Sequence, residues 1–149
     1  MKQIARPAQK LNRLAVFQME QIVKQYRQVA QKALKAENAG INVDQWIVLK
    51  QVSENNGCSQ VEIAQSTVKD APTTTRTIDQ LVNRHLLVKQ LDPNDRRKYM
   101  VFVTEKGNQL IERLLPVVQS YRKLPIKGFS PEEENTLLDL LNRMFKNLE

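Results

Sequence analysis

Apolar positions along the chain fall into blocks of different period, and each block predicts an element. Ala15, Met19, Ile22, Tyr26, Val29 and Ala33 follow one another in steps of four and three, which marks one face of a long helix. Gly40 is placed to stop it. The stripe is longer than one short helical partner would cover, so a second chain or the far end of this one is expected to pack on it. Asn42-Val43-Asp44-Gln45 then offers a capping box ahead of Trp46, Leu49 and Val52, a short helix that Asn55-Asn56-Gly57 ends. Ser59-Gln60-Val61-Glu62 repeats the box and opens a second short helix carrying Ile63 and Ala64, with Thr67 to Asp70 as its exit turn. Asp70 is placed to cap a third helix running to about His85. Pro72 fits its first turn, where amides have no intrahelical acceptor.

After His85 the period changes to two. Leu87 to Leu91 and Tyr99 to Thr104 read as strands joined by Asp92-Pro93-Asn94-Asp95-Arg96-Arg97-Lys98, whose Asp-Pro-Asn start suits a type I turn. The product is a hairpin with a basic tip. Thr104 can cap a helix bearing Leu110, Ile111, Leu114, Leu115, Val118 and Tyr121, in which Pro116 is expected to produce a kink. Pro125 and Gly128 end that region. Ser130-Pro131-Glu132-Glu133 combines an N-cap, a proline at the first helical position and a capping-box glutamate, and Leu137, Leu141, Met144 and Leu148 continue at heptad-like spacing. The expected fold is mainly α with a small β-hairpin wing. A winged helix-turn-helix lobe at 42–104 lies between long terminal helices at 8–37 and 105–148, in one unit of 149 residues.

Composition narrows the chemistry. With 41% hydrophobic and 26% charged residues the chain is apolar enough to bury a core. A single cysteine, Cys58, forms no intramolecular disulfide, and the lone His85 leaves no pair of imidazoles or Cys/His cluster for zinc, so no metal site is expected. The longest apolar run, Tyr99 to Val103, is far short of a membrane span, and the first seven residues lack the apolar core of a signal peptide. A cytoplasmic protein without a membrane partner is the default expectation. No glycine-rich phosphate loop, nucleophile elbow or zinc-protease motif is present, so neither catalytic residues nor a cofactor are expected. The net charge of +7 suits a polyanionic partner, and it is unevenly spread. Residues 1–37 carry +6, residues 38–65 carry −2, residues 66–106 carry +3, and the rest are neutral.

Three short helices followed by a hairpin is the order in which the third helix of a winged helix-turn-helix enters a DNA major groove. Taking Ile78 and Leu81 as inward places Thr74 and Thr75 on or near the buried side and leaves Thr73, Arg76, Thr77, Gln80 and Arg84 facing out. That set contains no acid, and it mixes hydroxyls suited to phosphate with Arg and Gln suited to base edges. At the hairpin tip Arg96, Arg97 and Lys98 are joined by Asp95, whose carboxylate could fix the Arg97 fork for a narrow minor groove. Each feature has a plain counterpart: a solvated helix face and a loop basic for solubility.

From Asp44-Gln45-Trp46 through Glu62-Ile63-Ala64, Thr75-Arg76 and Asp92-Pro93-Asn94-Asp95-Arg96-Arg97 to Val103-Thr104-Glu105-Lys106-Gly107, the chain resembles the multiple-antibiotic-resistance regulator (MarR) family of bacterial transcription factors. The resemblance covers about 65 residues, and the Asp-x-Arg wing followed by a strand and Thr-x-x-Gly is its more specific part. It implies a homodimer whose terminal helices interlock, each lobe on one half of a palindromic duplex site, with Arg76 as a groove contact and Arg97 as a wing-tip contact held by Asp95. It also implies a crevice between the dimerisation helices and the lobe for a small aromatic or phenolic effector, for which Trp46, read first as core, and Tyr26, read first as interface, are the candidate lining residues; repression is the expected output. Leu86-Leu87 after His85 departs from the family pattern, which has glycine at that helix end. Two other readings stay open: a protein-binding winged-helix module, and a redox-sensing regulator working through Cys58. The neighbouring charges of Cys58, Glu54 and Glu62, are acidic and do not favour a thiolate.

Overall fold

A computed structural model describes residues 10–149. The start of the expected N-terminal helix at residue 8, and the first seven residues read for a signal peptide, lie outside the described residues. A short 3-10 turn, Leu11–Arg13, precedes α1 (Ala15–Ala36). Then come α2 (Val43–Glu54), β1 (Cys58–Ser59), α3 (Gln60–Ser66), α4 (Ala71–Asn83), β2 (Leu87–Leu91), β3 (Tyr99–Val103), α5 (Glu105–Lys123) and α6 (Pro131–Lys146).

The local signals act where the sequence places them. Asn42 with Gln45, Ser59 with Glu62 and Ser130 with Glu133 each form a reciprocal capping box, every pair satisfying two helix-end amides. Asp70 caps α4 by accepting from the Thr73 amide at 2.8 Å. Its helix ends at Asn83, two residues short of His85, which itself sits at φ 60°. The left-handed turn that a glycine would make without strain is therefore made by a histidine.

The core lies in the lobe and at its junction with the terminal helices. Trp46, Leu49 and Val52 of α2, Ile63 of α3, Ile78 and Leu81 of α4, and Leu87 and Val101 of the hairpin are all buried together. The hairpin runs in register from Leu87 opposite Val103 to Leu91 opposite Tyr99. Cys58 and Ser59 add a two-residue strand against Val101 and Met100, so the sheet has the order β1, β3, β2. This third strand is missing from the pattern-based expectation because two residues between a turn and a helix cap carry no periodicity.

Thr104 joins the sheet to α5. Its hydroxyl accepts from the Gly107 amide at 3.0 Å and donates to the His85 carbonyl at 2.6 Å. Gly107 is buried, and a Cβ there would collide with the Leu86 carbonyl oxygen, which explains the Thr-x-x-Gly spacing. The helix then continues unbroken past Pro116. Glu112, whose carbonyl that proline leaves without a donor, is exposed to solvent.

The terminal helices are only partly covered. In α1 the residues Ala30 and Leu34 are fully buried, Tyr26, Val29 and Ala33 pack beside them, and Tyr26 meets Tyr121 of α5 edge-on at 5.8 Å. Ala15 and Ile22, the N-terminal part of the expected stripe, remain exposed. No residue of α6 is buried, although Leu137, Leu138, Leu140, Leu141 and Phe145 lie along it.

Candidate nucleic-acid interface

The outward strip of α4 begins at its cap. Asp70 has its carboxyl lowered by the hydrogen bonds from Thr73, with Arg76 and Lys69 adding to the effect, so the charge at the helix start is firmly negative. One turn on, Arg76 is exposed and its guanidinium lies 3.3 Å from the Thr73 hydroxyl. Gln80 is also exposed, and its carboxamide oxygen accepts from Gln45 of α2 at 3.1 Å. Thr75 is half-buried and accepts from Gln60 of α3 at 3.0 Å.

Two residues expected on this strip have their polar groups engaged within the lobe, although Arg84 is exposed as expected. Thr77 is buried, and its hydroxyl is spent on the Thr73 carbonyl at 3.0 Å. It falls four residues before Leu81 and three after Thr74, so it shares the inward stripe of Thr74, Ile78 and Leu81. Arg84 closes the helix at its C-cap, and its guanidinium donates to the Gly40 carbonyl beyond the end of α1. A long side chain past the last helical residue swings to the nearest unsatisfied carbonyl, which the helical wheel does not anticipate.

The wing is built from carboxylate-to-amide bonds. Asp92 accepts from the Asn94 amide at 2.8 Å, and the Asp92 amide donates to the Lys98 carbonyl at 2.9 Å, which closes the loop. Asp95 accepts from the Arg97 amide at 3.0 Å while its oxygen stands 3.6 Å from the Arg97 Nε. The Arg97 side chain is 93% exposed, and Arg96 and Lys98 are exposed beside it. The same carboxylate therefore shapes the turn and biases the guanidinium outward. Between α3, α4 and the wing lies a cleft of about 410 Å³ lined in part by Gln60, Thr75, Arg97, Lys98 and Tyr99.

Residues 39–98 match the model of the MarR family. The matched stretch is the winged lobe, which is similar to that family. Over 105 residues, 70% of its length, the chain is 29% identical to the HTH-type transcriptional repressor NicR of Pseudomonas putida, and the match spans 66% of that protein. BpsR of Bordetella bronchiseptica, solved in a study of how 6-hydroxynicotinic acid regulates its DNA binding, shares the fold with a TM-score of 0.83 at 24% identity. That likeness covers 92% of this chain and 96% of BpsR. The transcriptional regulator SlyA is 25% identical with a TM-score of 0.81, over 89% of this chain and 92% of its own.

The two residues expected to line one effector crevice are separated in this fold. Trp46 is 2% exposed and belongs to the core, and it is not among the residues lining the two apolar clefts at α1. Tyr26 borders a cleft of about 340 Å³ with Ile22, Val29, Tyr121, Leu124 and Pro125. A different crevice of about 210 Å³ lies where α1 and α2 meet the turn between α3 and α4. Val23, Ile47, Val48 and Val68 give it apolar walls, and the Arg27–Asp44 ion pair and Lys69 stand at it. Cys58 is half-buried, and burial followed by the nearby Glu62 pushes its thiol up, away from the reactive thiolate. No helix among the described residues is long and apolar enough to cross a membrane.

Proposed function

We propose that this chain is a transcriptional regulator that binds duplex DNA sequence-specifically as a homodimer, represses from a palindromic operator and performs no chemistry. The observation that carries this reading is the pairing of Arg76 on the outward strip of α4 with the wing-tip Arg97 that Asp95 orients. Thr73, Arg76 and Gln80 would meet the major groove, Arg96 and Arg97 the neighbouring minor groove or backbone, and Lys98 a phosphate. Thr77 and Arg84 leave the proposed contact set, since their polar groups already serve the lobe itself. The uncovered apolar faces of α1 and α6 support a twin, and two recognition helices roughly 34 Å apart would read successive major grooves.

Arg76→Ala is expected to cost about 1–3 kcal/mol of operator affinity and to relax base preference. Lys98→Ala should weaken all duplexes alike and flatten the dependence of affinity on salt. Both follow from a selection of bound duplexes out of a random pool, followed by titration at several salt concentrations. If Arg76→Ala leaves affinity and preference untouched, the assignment of α4 fails. If the wild-type chain does not retard duplex DNA even at low salt, a protein-binding lobe takes its place.

For the effector, the crevice between α1, α2 and the turn before α4 is the better candidate than the Tyr26 cleft. Its walls are apolar, Lys69 and the Asp44-paired Arg27 stand at it, and it touches both a dimerisation helix and the first turn of the recognition helix. At about 210 Å³ it lies below the roughly 300–1,000 Å³ of drug-sized sites, which suits a single-ring anion of the kind that regulates BpsR. Such a ligand would release DNA to the extent that it prefers one spacing of the two lobes over another.

A further inference from the structure

We propose that Lys89 is a positioning residue for DNA recognition, whose ammonium braces the wing against the recognition helix. The proposal rests on the DNA-binding reading above and adds to it the residue that sets the distance between its two contacting elements.

Lys89 is the middle residue of β2, opposite Val101 of β3. Its Nζ reaches Asp79 of α4 at 2.8 Å and stands 4.9 Å from the centre of the Tyr99 ring. Tyr99 follows directly on the basic tip, and Asp79 lies one turn after Arg76 and next to Gln80. One cation thus touches the base of the wing and the middle of the recognition helix at once, through an ion pair and a cation–π contact.

The outer hairpin has little else to hold it. The two-residue β1 pairs only with Met100 and Val101, so the outermost pair, Leu91 opposite Tyr99, has no third strand beside it. Leu91 and Tyr99 are both exposed, and apolar packing does not pin this end. An arm free to pivot presents its arginines at a lower effective concentration once α4 is docked. A brace at the pivot raises it.

Charge alone makes the opposite prediction for the partner of Lys89. Asp79 is the only acid within α4, and a carboxylate on a helix facing phosphates is repulsive, so its loss should tighten binding. The brace requires its loss to weaken binding. Asp79→Asn therefore separates the two by sign.

The experiment uses the full chain and a duplex that the wild-type chain selects from a random pool, with affinities measured in a cycle of Lys89→Met and Arg97→Ala. In the wild-type background Arg97→Ala is expected to weaken binding about tenfold. In the Lys89→Met background the same change should cost less than about threefold, because the wing is already disengaged. Lys89→Arg should restore the full effect, Asp79→Asn should weaken binding, and the thermal unfolding of the free variants should stay near that of wild type. Independent effects of Lys89→Met and Arg97→Ala, or tighter binding by Asp79→Asn, would overturn the brace while leaving the DNA-binding reading intact. A wild-type chain that selects no duplex would remove both.

Discussion

Leu81 of α4 and Leu141 of α6 both lie on the apolar stripe of a well-capped amphipathic helix, yet Leu81 has no exposed surface and Leu141 is 36% exposed on a helix with no buried residue. The difference separates what local signals decide from what packing decides. Ser130, Pro131 and Glu133 make α6 a helix by satisfying its first amides, and none of that requires a partner. A partner is needed for its leucines, and the lobe, whose core is filled by α2, α4 and the sheet, supplies none. An apolar face of this extent is unusual on a monomer and marks an interaction surface.

The largest effects test that separation. Leu81→Ala should cost about 2–5 kcal/mol in denaturant unfolding, because it empties a fully buried site between α4 and its neighbours. Leu141→Asp should leave the lobe folded and instead shift sedimentation at micromolar concentration toward the 17.2 kDa monomer. If Leu141→Asp unfolds the lobe, the two regions are one cooperative unit and the contrast between them collapses.

Smaller effects come from a device that both regions share. Asp70 has its carboxyl lowered by the hydrogen bonds from Thr73, and Glu133 has its own lowered by those from Ser130. Each folded pKa lies below the unfolded value, so the unfolded chain takes up protons first as pH falls. The stabilisation is complete above the ordinary carboxylate range near pH 4 and is lost as pH drops through the lowered folded values. Unfolding measured between pH 6 and 3 should therefore weaken toward acid. Asp70→Asn, which keeps a capping oxygen, should flatten that dependence for the lobe, and Glu133→Gln should flatten the acid loss of helicity in α6.

Much of this arrangement is legible along the chain, for a physical reason. Caps, prolines and periods of 3.6 or 2 act over three or four residues, so Asp70, Ser130, the hairpin and the Asp95–Arg97 pair are readable in place. Thr77 is readable too, since the step of four back from Leu81 lands on it just as the step back from Ile78 lands on Thr74. What no local rule reaches is the long-range meeting of side chains. Arg84 finds Gly40 across 44 positions, Gln45 finds Gln80 across 35, and Lys89 crosses from sheet to helix to find Asp79. Trp46 reads as core from its place on the apolar stripe of α2 and is core in the fold, whereas only the packed fold shows that a crevice opens between Val23 and Val68.

The finest test concerns His85, where the lobe departs from the glycine that its resemblance leads one to expect. At φ 60° a side chain bearing a Cβ costs about 1–2 kcal/mol relative to ordinary backbone, whereas glycine adopts that conformation freely. Glycine gives part of this back, because it loses more conformational freedom on folding, by roughly 0.5–1 kcal/mol. The contacts that matter here are made by the backbone: the His85 amide donates to the Val82 carbonyl at 2.9 Å, and its own carbonyl accepts from Thr104 at 2.6 Å. Both survive the substitution. His85→Gly should therefore stabilise the lobe by about 0.5 kcal/mol in denaturant unfolding, with no change in the sedimentation of the chain, since His85 lies on neither α1 nor α6. A destabilised variant would mean that the imidazole itself holds the end of α4. The histidine would then be a second solution to the turn, and no longer a strain that the lobe carries.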